Sequence, residues 1–134
     1  MSETYAKKLS IVVASGEGGE FLLRCLDSLV EQSQRDDVEL MVVDRCGEER
    51  RADIGRRYPG VRVVAYPGED RPSIPKLRAC GADVAEGELV AVIEEHCTAP
   101  GDWVETILAE FGPDDAAIGG PILDDEFTRL RDWV

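Results

Sequence analysis

Short apolar runs alternate with amphipathic segments along this chain, and that alternation constrains the fold more than any other feature. Four runs rich in β-branched residues read as strands buried in a sheet, at 9–14, 38–43, 61–65 and 89–93. Segments with helical spacing follow them, at roughly 20–33, 48–58, 73–85 and 102–111. Strand and helix repeated four times predict an α/β fold with a mostly parallel sheet.

Length and net charge limit the kinds of function that this chain can have. With 134 residues, we expect one domain over 1–134. The 28 acidic and 15 basic side chains give a net charge of −13, which argues against nucleic-acid binding. A phosphate ligand would need a metal ion or a local basic cluster to offset this charge. No apolar run approaches the ~18 residues of a membrane span, and no signal peptide is evident, so we expect a cytoplasmic protein with reduced thiols.

Ligands of parallel α/β sheets bind beyond the carboxyl ends of the strands, which makes 15–19, 44–47, 66–72 and 94–100 the candidate segments. Glycines 16, 18 and 19 match neither the dinucleotide pattern G-x-G-x-x-G nor the Walker pattern. They predict a tight turn before a helix, whose N-terminus could hold a phosphate or a carboxylate.

Acidic side chains follow two of the strands. Asp44 either caps the next helix and its loop amides, or accepts a hydrogen bond from a nucleobase or ribose. Glu94, Glu95 and His96 form the most informative cluster, because carboxylate and imidazole are both ligands of divalent metals. Glu94 and His96 point to the same side of an extended segment and could share one ion. The alternative is a solvated acidic loop.

The remaining local signals are a cluster of basic residues, two helix caps and two short elements near the end of the sequence. Arg71, Lys76 and Arg78 concentrate positive charge that could offset phosphates, or they form a solvated face in which Arg78 pairs with a carboxylate. Ser73 is predicted to cap the third helix, and Asp102 with Glu105 to form a capping box on the fourth. A short strand is predicted at 116–118 and the start of another helix at 127–134.

Taken in order, these segments resemble the donor half of a family 2 glycosyltransferase with the GT-A fold. The resemblance covers nearly the whole chain and is carried by the opening strand and turn 9–15, helix segment 25–32, strand 39–44, segment 77–82, strand 86–93 with its acidic cluster, and the glycines 119–120. Each motif is weak alone, whereas the ordered series is fairly specific. It implies a Rossmann-like fold that binds a nucleoside-diphosphate sugar.

The resemblance also implies roles for single residues. Asp44 matches the aspartate that contacts the base or ribose, and the turn at Ser15 flanks the same nucleotide. Arg78 matches an arginine near the nucleotide. Glu94 and His96 stand at the ends of the D-x-D motif that holds Mn²⁺ or Mg²⁺ on the diphosphate, in a form similar to the D-x-H variant.

The chain departs from the family pattern in several places. Ser-Gly-Glu replaces a proline–threonine turn at 15–17, Arg-Cys-Gly replaces Asp-Gly-Ser at 45–47, and glutamates replace aspartates at 94–95. The chain is expected to be truncated, with the acceptor half and its catalytic base absent. Three hypotheses follow. The first is a metal-dependent transferase completed by an acceptor half, and the second is a non-catalytic binding or interaction module; a homo-oligomer or a partner chain would be compatible with either. The third, an unrelated α/β nucleotide-binding protein, is disfavoured because neither phosphate-loop pattern is present.

Overall fold

The computed structural model describes residues 4–68 and 70–123. Four strands and four helices alternate along this part of the chain, as the sequence predicts. They are β1 (Lys7–Ser15), α1 (Gly19–Val30), β2 (Val38–Asp44), α2 (Glu48–Arg57), β3 (Arg62–Ala65), α3 (Ile74–Val84), β4 (Gly87–Glu94) and α4 (Trp103–Glu110). The helix predicted at 127–134 lies outside the described residues.

The strands form one sheet in the order β3-β2-β1-β4, and every neighbouring pair is parallel. The register places Ser15 beside Asp44 and Ala14 beside Glu94. The carboxyl ends of the three neighbouring strands β2, β1 and β4 therefore meet at one edge of the sheet. This edge brings together the polar side chains that the sequence analysis singled out.

The two central strands are covered on both faces. Leu9, Ile11 and Val13 of β1 pack against the buried stripe of α1, whereas Val12 and Ala14 face α3 across the other side of the sheet. Alternation of side chains along the strand explains this division. Helix α3 lies close to the sheet at Gly81, where an added Cβ would come within 2.5 Å of the Val12 side chain.

Strand β4 lies at the edge of the sheet and is covered on one face. Leu89, Ala91 and Ile93 pack against the α1 side of the core. Val90 and Val92 point to the opposite face and are 43% and 47% exposed. Among the described residues, none of the helices combines the length and the apolar character needed to cross a membrane.

Three local predictions have different outcomes. Ser73 caps α3 by accepting a hydrogen bond from the Lys76 amide at 3.4 Å, which confirms that prediction. The capping box of Asp102 and Glu105 is wrong, because Asp102 makes no side-chain capping bond. The strand predicted at 116–118 is also wrong, since these residues form no ladder with the sheet in the described structure.

Helix α4 is capped by a residue from the turn that follows α1. The Gln32 side chain, just beyond α1, accepts a hydrogen bond from the Val104 amide at 2.8 Å. Its amide group donates to the carbonyls of Ser28 and Pro100 at 2.7 and 2.9 Å. Gln32 thus supplies the acceptor that the sequence analysis had assigned to Asp102, and it fixes α4 against α1.

Candidate functional site

A glycine-rich loop joins β1 to α1. Gly18 and Gly19 have φ angles of 68° and 75°, a left-handed conformation that suits glycine and turns the chain sharply into the helix. The amides of Gly16 and Glu17 donate to one carboxylate oxygen of Glu95 at 3.1 and 3.0 Å, and Gly18 donates to the other at 3.1 Å. The loop holds a carboxylate, one of the two anions that the sequence predicts here, and that carboxylate belongs to the chain itself.

Arg45 ties the same loop to its neighbours. Its Nε donates to the Gly16 carbonyl at 3.2 Å, and its Nη1 donates to the Pro72 carbonyl at 2.6 Å. These bonds join the loop after β1, the loop after β2 and the segment before α3. Gly16 is enclosed on this side, since an added Cβ would come within 2.6 Å of Ile74.

A cavity of about 610 Å³ opens between these loops at the carboxyl edge of the sheet. Three arginines and two aspartates contribute to its wall, so the local charge is positive although the whole chain carries −13. This local basic cluster is what a phosphate ligand would require in an acidic protein. The lining residues are Gly16, Asp44, Arg45, Cys46, Arg51, Tyr66, Gly68, Asp70, Arg71 and Pro72.

Asp44 is fully buried at the end of β2 and lines this cavity. Its Oδ2 accepts a hydrogen bond from the Cys46 amide at 2.9 Å and lies 3.8 Å from Arg51 Nη1. Its Oδ1 is buried and has no hydrogen-bond partner within the described residues, and the same holds for the hydroxyl of Ser15. One oxygen therefore performs the loop-capping role, and the other is buried without a donor in the described structure.

Arg78 forms an ion pair with Glu94 at the exit of β4. The pairing matches the carboxylate partner that the sequence analysis considered for Arg78. Both side chains remain partly exposed, at 32% and 50%. Lys76, by contrast, pairs with Asp70 on the loop before α3.

His96 lies over the start of α1. Its Nε2 is 3.4 Å from a carboxylate oxygen of Glu17, and its ring centroid is 5.0 Å from that of Phe21. The imidazole is 45% exposed, so it remains accessible to a ligand. The turn after β4 thus contacts the glycine loop through both Glu95 and His96.

These positions limit how a divalent cation could be held. Both oxygens of Glu95 accept backbone hydrogen bonds and its side chain is only 3% exposed, so Glu95 is poorly placed to bind a metal ion. Glu94 and His96 are accessible, and they match the hard and borderline ligands that Mn²⁺ accepts. The described part of the chain presents no ready cluster of three ligating side chains. The residues present therefore fit a cation only if the ligand supplies further oxygens.

Two cysteines near the site are poorly ionised. Burial, followed by the charges of Cys97 and Glu95, raises the pKa of the Cys25 thiol to about 12. Burial and the neighbouring carboxylate of Asp44 also raise the pKa of Cys46, which lines the cavity. Neither environment creates the reactive thiolate expected of a nucleophilic cysteine.

The sheet order, the alternating helices and the polar carboxyl edge are those of a GT-A glycosyltransferase fold. The sequence model described as Glycosyl transferase family 2 matches residues 10–134, and the chain belongs to this family. The resemblance inferred from the sequence is thereby confirmed.

Relatives and solved structures agree with this assignment. A glucosyl-dolichyl phosphate glucuronosyltransferase of Haloferax volcanii is 29% identical over 131 residues, which are 94% of this chain and 42% of that protein. Human polypeptide N-acetylgalactosaminyltransferase 10 is 26% identical over 91% of this chain and 21% of its own length. The structure of S. aureus TarS 1–349 in complex with UDP superposes with a TM-score of 0.64 at 23% identity, covering 76% of this chain and 31% of that one. The chain spans less than half the length of these proteins.

Sequence reasoning missed two residues that organise the site. Glu95 was grouped with its neighbours as a candidate metal cluster, although the register of β4 beside β1 places it next to the glycine loop. Arg45 was noted only as a departure from the family pattern. Its bonds to Gly16 and Pro72 depend on three loops that are distant in sequence, and no local pattern indicates them.

Proposed function

We propose that this chain supplies the donor site of a glycosyltransferase and binds a nucleoside-diphosphate sugar in the 610 Å³ cavity. The observation that carries the proposal is the buried Asp44 carboxylate, which lines the cavity and keeps one oxygen without a partner in the described structure. A buried acceptor of this kind is costly unless a ligand supplies a donor. A nucleobase N–H or a ribose hydroxyl would do so.

The wall of the cavity suits the remaining parts of such a donor. Arg45, Arg51 and Arg71 provide positive charge for phosphate oxygens, and Tyr66 offers an aromatic face. Ser15 flanks the base from the neighbouring strand. Arg78 would reach the nucleotide from α3. The structure of S. aureus TarS 1–349, which shares this fold, is a complex with UDP, and this supports a nucleotide as the ligand.

The proposal includes Mn²⁺ or Mg²⁺ held by Glu94 and His96, with diphosphate oxygens completing the coordination. When bound, the cation would neutralise charge on the departing diphosphate. Glu94 must first exchange its contact with Arg78, which its partial exposure allows. His96 must likewise turn from Glu17 towards the ligand.

Glycosyl transfer would then proceed by attack of an acceptor hydroxyl on the anomeric carbon. The new bond joins the acceptor oxygen to that carbon, while the bond from carbon to the phosphate oxygen breaks. The hydroxyl proton passes to a base, and we assign no residue of this chain to that role. The acceptor site and the base would come from a further segment or a partner chain.

Calorimetric titration with UDP, in the presence and absence of Mn²⁺, tests the proposal, with GDP as the comparison nucleotide. We expect binding of one nucleotide in the presence of Mn²⁺ and a loss of the metal-dependent component in His96→Ala. Asp83→Ala, an exposed acidic position near the end of α3, is the control for a change of surface charge. A folded sample that binds neither nucleotide would contradict the proposal.

A second candidate is a glycosyltransferase-like module that binds without catalysis. The observation that favours it is that the acidic side chains of this turn already have partners, since Glu94 contacts Arg78 and Glu95 accepts hydrogen bonds from the glycine loop. This candidate predicts that UDP affinity, if measurable, is the same with Mn²⁺ and with EDTA.

A further inference from the structure

Glu95 performs a task that differs from that of its two neighbours in the acidic turn. It is only 3% exposed, and the donors recorded for its carboxylate are three consecutive backbone amides, those of Gly16, Glu17 and Gly18. A buried carboxylate is stable only when donors surround it, and a concave row of amides forms an anion-binding nest. The glycine loop and Glu95 therefore complement each other.

The conformation of the loop suits an anion at its centre. Three neighbouring amides that point to one place present their partial positive charges to each other, and one carboxylate at their centre satisfies all three. Gly18 also has a positive φ, so the loop has little intrinsic preference for this one conformation. Glu95 reaches it from 79 residues away in sequence.

Gly16 connects the Glu95 carboxylate to the wall of the cavity. Its amide donates to Glu95, and its carbonyl accepts from Arg45, which in turn donates to Pro72. Gly16, Arg45 and Pro72 all line the cavity. Loss of the Glu95 carboxylate would thus release one wall of the cavity, although Glu95 is not among the lining residues.

We infer that Glu95 is a positioning residue. It holds the glycine loop in the conformation that forms one wall of the cavity, and it fixes the turn with Glu94 and His96 beside that loop. The inference rests on the proposed function in so far as the cavity takes a nucleotide. Glu95 acts through Gly16 and the turn, without contacting the donor. The buried Glu95 side chain thereby links the cavity wall at Gly16 to the turn that carries the proposed metal ligands.

The experiment compares Glu95→Ala and Glu95→Gln with the wild-type chain. Glu88→Ala is the matched control, because it removes one exposed carboxylate from the far end of β4, the strand that leads into Glu95. Two readouts are recorded, the ¹H–¹⁵N resonances of Gly16 to Gly18 without nucleotide and the affinity for UDP. Sodium acetate is then added to Glu95→Ala, against sodium chloride at the same ionic strength.

In Glu95→Ala we expect the three amide resonances to move upfield and UDP to bind about tenfold or more weakly, as for other lost supporting contacts. Acetate should restore both readouts in part, because a free carboxylate can occupy the nest, whereas chloride at equal ionic strength should not. Glu95→Gln retains one acceptor oxygen and should lose less affinity. Glu88→Ala should match the wild-type chain.

Unchanged amide resonances in both variants, or displaced resonances with wild-type UDP affinity, would overturn the inference. If Glu95→Ala does not fold, Glu95→Gln decides by the same two readouts, since it keeps the size of the side chain. If the wild-type chain itself does not bind UDP, the proposed function fails. The resonances and their response to acetate then still decide whether Glu95 holds the loop.

Discussion

Ser15 and Asp44 are register partners at the ends of β1 and β2, and both are fully buried. Each keeps one side-chain oxygen without a hydrogen-bond partner within the described residues. Proteins rarely leave two such groups side by side, because a buried polar atom without a partner destabilises the fold by about 1–3 kcal/mol. This pair is therefore the part of the proposed donor site at which a ligand could supply missing hydrogen bonds.

Replacement of Asp44 should therefore change binding and stability in opposite directions. Asp44→Asn keeps the shape and can still accept from Cys46, but it removes a buried charge. We expect UDP affinity to fall about tenfold or more, as when a hydrogen-bonding group of a site is lost, with a free energy of unfolding that is unchanged or up to about 1 kcal/mol higher. Calorimetry and urea denaturation measure the two effects. Ser15→Ala should likewise be nearly neutral for stability, and a large loss in either variant would contradict this account.

The ion pair between Arg78 and Glu94 should compete with a metal ion. In Arg78→Ala, Glu94 is released, so we expect Mn²⁺ alone to bind several-fold more tightly while UDP binds more weakly. The free energy of unfolding should change by less than about 1 kcal/mol, because exposed ion pairs contribute little. Paramagnetic titration of free Mn²⁺ gives the first quantity. Lys76→Ala, whose side chain pairs with Asp70 instead, is the control. Equal Mn²⁺ affinity in all three proteins would argue against Glu94 as a ligand.

Gln32 should matter more for stability than the acidic residue at the start of α4. Gln32→Ala removes the acceptor of the Val104 amide and one donor from each of the Ser28 and Pro100 carbonyls, and we expect a loss of about 1–2 kcal/mol in the free energy of unfolding. Asp102→Ala removes no capping bond and should lose less than about 0.5 kcal/mol. Urea denaturation of the two variants provides the comparison. A larger loss in Asp102→Ala than in Gln32→Ala would instead support the predicted capping box.

Cys25 should make the fold sensitive to alkaline pH. Its pKa is raised from 9.0 to about 12 in the folded chain, so the unfolded chain releases this proton first as the pH rises. Stability from this group is complete below pH 9 and declines between pH 9 and 12, by about 4 kcal/mol over three pH units. The measurement is the free energy of unfolding against pH for the wild-type chain and for Cys25→Ala. The variant should show a shallower alkaline decline, and parallel curves would contradict the burial of the thiol.

Local patterns were sufficient for the secondary structure. The β-branched runs and the helical stripe of α1 are properties of consecutive residues, and the predicted elements differ from the structure by a few residues at their ends. The strand predicted at 116–118 failed because a short apolar run forms a strand only when a sheet edge pairs with it. The predicted capping box failed because the acceptor comes from Gln32, which lies just beyond α1 and is distant in sequence from α4.

Within the candidate site, the sequence placed the residues at the correct edge but could not assign their roles. Glu94, Glu95 and His96 are adjacent and look alike as potential ligands. In the structure, one pairs with Arg78, one is buried beneath the glycine loop, and one lies beside Glu17. The roles proposed for Ser15, Asp44, Arg78, Glu94 and His96 towards a nucleotide and a metal remain predictions for the experiments above.

The sequence by itself determined the α/β class, the family and the strand ends that form the candidate site. These follow from local periodicity and from the rule that the carboxyl ends of parallel strands share one edge. The tertiary structure decided which carboxylate pairs with an arginine, which accepts three backbone amides and which keeps an unpartnered oxygen. That outcome depends on burial and on hydrogen bonds between loops up to 79 residues apart, and these exist only once the sheet has brought the loops together.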